Sequence, residues 1–575
     1  MKPFSVLFCL GVCVLLLTLV MKAGEIPPAE TAPGFPPDSV SMTDSVSRVD
    51  EWLEQTWADR GIRPAAEADD MTVYRRLSLA LHGTIPSLEE IAVFRKDDRV
   101  NRLERWLEKL LQDDRFADYF ADRLERVLTG VDEGQFIVFR RDRLRHWLGE
   151  QLRADRPWQE VVMELIAAEG LWTSQPASNF ITAASIPEEG IDVNELAGRT
   201  VRAFLGQRID CAQCHNHPFD IWKQTDFEGL AAFYGQARVK VGGVIDCEVE
   251  EGKPVEYRII DPGSDTGRVI DPVVPFHAEW LGQDGSRRQR LAEWVTHPGN
   301  RRFERAIANR IWGLMFGRAW YDPVDDLPHP DSAEAQKVSL LDVLGAEFRR
   351  SGGSLKSLIR TIALSKAFRL RSDAPEAAED EYAQMKSEWA VFPLSRLRPE
   401  QMIGSIFQAG HIRTIDQQSN MFVRFARFFN ENDFLKEYGD ATDDELLQQS
   451  GTIPQALLRM NGKFTREQSE TGPFSAAGQI LRFSGDNESV VNNCFLACLT
   501  RQPTTEERTY FSAELGKYRV VGDSRSADSE TLQTETDQQE DDRARGDRSN
   551  AGLANQVVED LYWVLFNSPE FSWNR

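Results

Sequence analysis

The run Cys211-Ala212-Gln213-Cys214-His215 is the stretch in which nucleophilic and metal-ligating side chains fall at a chemically specific spacing. Two thiols three residues apart can form thioether bonds to the vinyl edge of a porphyrin. A histidine directly after the second can then reach the iron as proximal ligand. The spacing predicts one covalent haem c, anchored by Cys211 and Cys214, with His215 on the metal. Other chemistries use the same residues. Cys211, Cys214, His215 and His217 also suit zinc, which takes soft thiolates and imidazoles. The cysteine pair alone could close a disulfide, or all four could be structural. His217, followed by Pro218, falls on the proximal side of such a porphyrin, where it could orient the site by hydrogen bonding. A distal ligand would come from elsewhere: Met315, Met402, Met421, Met460, His277, His297, His329 and His411 are the formal candidates. Five-coordinate iron would imply ligand or peroxidatic chemistry, six-coordinate iron electron transfer.

Haem c is attached outside the cytoplasm, so the N-terminus bears on the motif. Lys2 precedes an apolar stretch from Phe4 to Val20, and Met21-Lys22-Ala23-Gly24 offers a small residue for signal cleavage. Residues 1–23 read as a signal peptide or a retained anchor, since roughly 17 to 25 apolar residues span a bilayer. Either way the rest of the chain is expected to be exported, to the periplasm or cell envelope, with membrane attachment only through this segment. Cys13 lies inside the apolar run, against a lipoprotein anchor. The formal charge of −24 excludes nucleic acid as an expected partner, because phosphate binding needs clustered Lys and Arg. Seven cysteines in 575 residues are too few for a disulfide scaffold. Cys494 and Cys498, four apart on one helix, read as core thiols, and Cys247 has no evident partner.

The elements that must hold the motif read as mainly α, with two helical domains and a small β insertion between them. Residues 24–44 are Pro-, Ser- and Thr-rich and read as a flexible tether. Residues 45–238 form the first helical domain. Tyr74, Leu77 and Leu81 recur at helical spacing, Gly83 stops that helix, and Ser87-Leu88-Glu89-Glu90 is a capping box for the next. Amphipathic stretches follow at 101–128, 137–154 and 158–168. A helix over Val193–Leu205 leads into the motif and another, over Phe227–Tyr234, leaves it. Phe219, Trp222, Phe227, Phe233 and Tyr234 form an aromatic cluster that suits helix packing or a haem pocket. Asp220 and Asp226 read as caps and surface charges.

Residues 239–286 are Val-, Ile- and Gly-rich with short alternations, a β-rich insertion of one or two hairpins. Residues 287–575 form the second helical domain. Gly352-Gly353 ends one helix, Ser354 caps the next, and Thr504 to Glu507 is another capping box. The polar, acidic run 521–550 cannot offset the entropy of ordering and is expected to be a disordered loop before a final helix carrying Val557, Leu561, Val564 and Leu565. In this domain Asn309, Arg310, Trp312, Arg318, Asp322, Asp325 and Asp326 could assemble a polar pocket with acid/base or cation-binding carboxylates. They read equally as a helix, its stop and a turn.

Residues 211–236, CAQCHNHPFDIWKQTDFEGLAAFYGQ, closely resemble the planctomycete cytochrome-like secreted domain, a family of unknown function built around C-x-x-C-H-x-H-P-F. Val49-Asp50-Glu51-Trp52-Leu53 and Arg75-Arg76-Leu77-Ser78-Leu79-Ala80-Leu81-His82-Gly83 are similar to its opening helices. ANRIWGLMFGRAWYDPVDD at 308–326 and LFNSPEFSWNR at 565–575 resemble the planctomycete secreted domain that usually accompanies it. The resemblance covers about residues 45 to 575. Many members carry a further N-terminal cytochrome c-like module with its own C-x-x-C-H; this chain has none, which rules out a multi-haem wire within it. An electron would have to come from, or go to, an unknown redox partner protein. A secreted interaction or carbohydrate-associated protein, with the motif as a metal or disulfide staple, is the alternative. No Ser/His/Asp array, P-loop or dinucleotide fingerprint supports a hydrolase or nucleotide-dependent enzyme, and whether the protein is an enzyme stays open.

Overall fold

Caps and stops written in the sequence set the helix boundaries. In the computed structural model, which describes residues 39–575 except 131–137, 218–221, 261–266, 329–337, 417–418, 420–451 and 520–536, the fold is mainly helical. Asp69 caps Asp70–His82, and Gly83, at φ 66°, ends it with its N–H on Leu79 O. Ser87 and Glu90 form a reciprocal capping box at the start of Leu88–Lys96. The apolar stretch 101–128 is two helices, Arg102–Gln112 and Asp114–Thr129. Asp113 breaks it by ending the first and accepting the Arg115 N–H at the start of the second. The capping box Thr504/Glu507 and the Ser354 cap form as the sequence predicts.

The β-rich stretch after the motif consists of three antiparallel hairpins: Ala237–Lys240 with Gly243–Asp246, Val249–Glu250 with Lys253–Pro254, and Arg258–Ile259 with Arg268–Val269. Two further two-residue pairs, Ser185–Ile186 with Gly190–Ile191 and Ser395–Arg396 with Trp573–Asn574, complete the strands among the described residues. The hairpins do not divide the core as a domain boundary would. One hydrophobic cluster runs from Val49 and Trp57 through Phe180, Phe204 and Tyr234 to Trp294, Trp312, Phe316 and Phe368. A second joins Leu79 and Ile85 to Met402, Ile406, Val491, Cys498, Leu561 and Phe571. Residues 42–575 form one compact unit by their contacts. Local periodicity shows that a helix buries a face; the partner across that face is set by the whole chain. The expected signal segment and most of the tether lie outside the described residues.

Two segments expected to be irregular are partly helical. The first helix, Ser39–Asp59, takes in the end of the tether. The last, Asp537–Asn567, takes in the second half of the acidic run expected to be disordered, whose first part lies outside the described residues. Its Asp, Gln, Glu, Arg and Ala are adequate helix formers, and an anchored C-terminal half removes the cost of nucleation. Among the described residues no helix is long and apolar enough to cross a membrane.

Candidate cofactor-binding site

The motif hangs from the C-terminus of an approach helix, Val193–Leu205. Asp192 caps its start by accepting from Asn194 and Glu195 N–H. Gly206, at φ 63°, turns the chain out of it; a Cβ there would lie 3.0 Å from Leu327 and 3.3 Å from Ala306. The chain then enters a 3-10 turn, Asp210–Gln213, closed by the Ala212 N–H on Ile209 O at 2.8 Å. Three residues per turn eclipse positions i and i+3. Ile209 and Ala212 share the inner edge and are buried, while Cys211 and Cys214 share the outer edge and are exposed free thiols. The turn thus leaves both thiols exposed, three residues apart, beside a buried inner edge.

His215 follows in the exposed part of the loop. Its Nδ1 lies 2.8 Å from Asn216 O, and since a carbonyl only accepts, Nδ1 is the donor of that bond and Nε2 takes no part in it. Below it the loop is tied back. His217 N donates to Trp222 O (2.8 Å), Gln224 N to Asn216 Oδ1 (3.0 Å), and Gln224 Nε2 to Gln213 O (3.3 Å). The departing helix is Gln224–Ala232, and Asp226 is its cap, accepting from Lys223 N. Asp220 and Phe219 lie outside the described residues. Trp222, Phe227, Phe233 and Tyr234 are all buried in the main cluster, with Tyr234 Oη 2.6 Å from Thr200 Oγ1. They support the motif from beneath rather than line an opening beside it.

Zinc needs three or four ligands converging on one point at about 2.0 to 2.3 Å. Among the described residues no group of three or more His, Cys, Asp or Glu is arranged to hold a metal ion, the motif included. A haem needs only one protein ligand on iron, and its thioether sulfurs diverge to the ring edge. An exposed pair of thiols followed by a histidine whose Nε2 takes no part in the Asn216 bond fits the haem requirement. Of the distal candidates, Met315 and Met402 are packed in apolar clusters. Met460 is exposed, and His277 and His297 stack on Trp280. His411 is turned onto Phe407 O, and burial lowers its pKa. His329 and Met421 lie outside the described residues.

Several polar residues of the second segment brace the approach to the motif. Asn309, fully buried on the helix Arg301–Phe316, donates to Tyr321 O (2.9 Å) and Val324 O (3.1 Å) and accepts from Tyr321 N (2.9 Å). Arg310 Nη1 donates to Ala203 O at 2.7 Å, at the end of the approach helix. Leu327 N donates to Gly206 O (2.7 Å), and Gln207 Nε2 to Leu327 O. Arg318 lies over the Trp389 ring and donates to Lys386 O. Asp322 and Asp326 are exposed, while Asp325 is buried and paired to Arg208 at 2.8 Å. Arg202 joins Asp210 at 2.7 Å. Burial opposes the charge on Arg202, but the Asp210 hydrogen bond and the charges of Asp210 and Asp325 outweigh it and raise its pKa. Sequence reasoning passed over Arg202, Gln207, Arg208 and Asp210, because nothing local distinguishes them from surface polar residues.

Residues 48–239 match a family model described as PSCyt2, a protein of unknown function (DUF1549). Residues 287–426 match PSD1, a protein of unknown function (DUF1553). By name these are the planctomycete cytochrome-like domain and the one that accompanies it, and the chain carries both. No curated protein and no solved structure matches it.

Proposed function

We propose that the protein is an exported, c-type-cytochrome-like component that carries one covalent haem and exchanges electrons with a partner protein. The observation that carries this reading is the 3-10 turn that leaves Cys211 and Cys214 exposed three residues apart, with His215 next to it and its Nε2 outside the Asn216 bond. Cys211 and Cys214 would hold the haem as thioethers, each thiol adding S and H across one vinyl group with no oxidant consumed, and His215 Nε2 would ligate the iron. The Nδ1–H donated to Asn216 O would fix the imidazole's orientation and basicity as a ligand. The group would supply a one-electron couple. His217, tied at its backbone to Trp222, keeps the loop closed beside His215. With one motif in the chain, electrons enter and leave through an unidentified redox partner protein.

The test is the absorption spectrum and intact mass of full-length protein matured through a c-type assembly pathway. A Soret band and a mass increase of one haem that survives denaturation are expected. Colourless protein from a pathway-competent host, with stoichiometric zinc or a Cys211–Cys214 disulfide, overturns the reading and favours the structural staple.

A further inference from the structure

Two sequence families meet at the motif, and one carboxylate makes the last tie before the thiols. We infer that the Cys211–His215 turn is a composite site whose orientation is set by Asp325, a positioning residue supplied by the second matched segment. The consequence for cofactor attachment rests on the haem reading above; the mechanical claim stands without it.

Asp325 is 5 % exposed. Its Oδ1 accepts from both Nε (2.9 Å) and Nη2 (2.8 Å) of Arg208. Its Oδ2 lies 3.8 Å from Arg202 Nε. Arg202 in turn holds Asp210, the first residue of the 3-10 turn and the neighbour of Cys211. Asp210 lies against bare backbone: a Cβ on Gly198 would come within 2.8 Å of its Oδ1. The other ties from this segment, to Ala203 O, Gly206 O and Gln207, all stop short of the turn. Among the described contacts from this segment, the Asp325–Arg208 pair and its extension through Arg202 are the ones that reach residues 208 to 210. Removing the buried carboxylate that two guanidiniums share takes away the charge that holds Arg208 and Arg202 together beside the turn.

The experiment uses the full-length chain without haem, so its outcome does not depend on the haem reading. Hydrogen exchange is measured across residues 207–214, including the Ala212 amide, for wild type, Asp325→Asn, Arg208→Gln and the double variant. Both single variants are expected to speed exchange there about tenfold, leaving the helix Asp70–His82 unchanged. The double variant should be no faster than either single, because both remove one tie. Arg208→Gln approaches the pair from its more exposed member and retains a readout should Asp325→Asn misfold. Unchanged exchange at 207–214 in Arg208→Gln overturns the inference. So does acceleration spread evenly over the chain, which would make Asp325 an ordinary stability contact. If these local changes appear in a protein that never takes up haem, the haem reading fails and the composite turn stands.

Discussion

The segment 48–239 and the segment 287–426 are separate as sequence families, yet they divide one structural task between them. The first displays its signature: Cys211, Cys214 and His215 are exposed, on a short turn, with the residues between them rooted in the core. The second hides its signature. Asn309, Arg310 and Asp325 are buried, and they bond to backbone of the approach helix, to the loop 321–327 and to Arg208. A surface turn needs something rigid underneath, and here part of that rigidity comes from the other matched segment.

The contrast can be broken at either end. Replacing both Cys211 and Cys214 by Ala should abolish covalent haem in denaturing mass spectrometry while leaving the melting temperature of the apo chain unchanged, since both thiols are exposed. A fall in apo stability would show that the display turn also carries the fold. Next in size is Asn309→Ala, which strands two carbonyls and one N–H in the core. It should cost about 3 kcal/mol in denaturant unfolding, and haem yield should fall with the folded fraction.

The pH dependence of stability probes the buried side of the molecule. Burial, and then the charge of Arg115, lower the pKa of His82 from 6.5 to about 4. The unfolded chain therefore takes up a proton near pH 6.5 that the folded one refuses until about pH 4. Stability is full above 6.5 and is lost through that window as pH falls. At pH 5, about 1.5 units into it, the loss is about 2 kcal/mol. Unfolding curves at pH 7 and pH 5 should differ by this much in wild type and by much less in His82→Asn; equal losses in both would assign the window to other groups. The smallest effect belongs to Asp322→Asn and Asp326→Asn, which sit exposed on either side of Asp325. Neither should change haem yield or melting temperature, and a clear loss from either would return the turn to the list of candidate sites.

What could be read from the sequence follows the range of the interaction. Gly83, Ser87 with Glu90, Ser354 and Thr504 with Glu507 act on backbone within a few residues, so composition and spacing reveal them. The motif is legible for the same reason: Cys211, Cys214 and His215 lie in one turn. Asp325 on Arg208, or Leu327 on Gly206, joins residues more than a hundred positions apart, and no local pattern distinguishes those partners. Phe204 and Trp312 belong to one cluster, and Leu79 is buried with Cys498 and Phe571. The polar run before Asn567 misled differently, because composition measures what a segment can bury and says less about whether a neighbouring helix extends into it.

The undivided core has a consequence for synthesis. Contacts between Leu79 and Phe571 form only after nearly the whole chain has been made. The cysteines at 211 and 214 emerge well before the helix Arg301–Phe316 and its following loop, which will later brace them. Under the haem proposal, attachment at both thiols can precede the closing of that brace, so the order of synthesis along the chain would set a timetable for maturation.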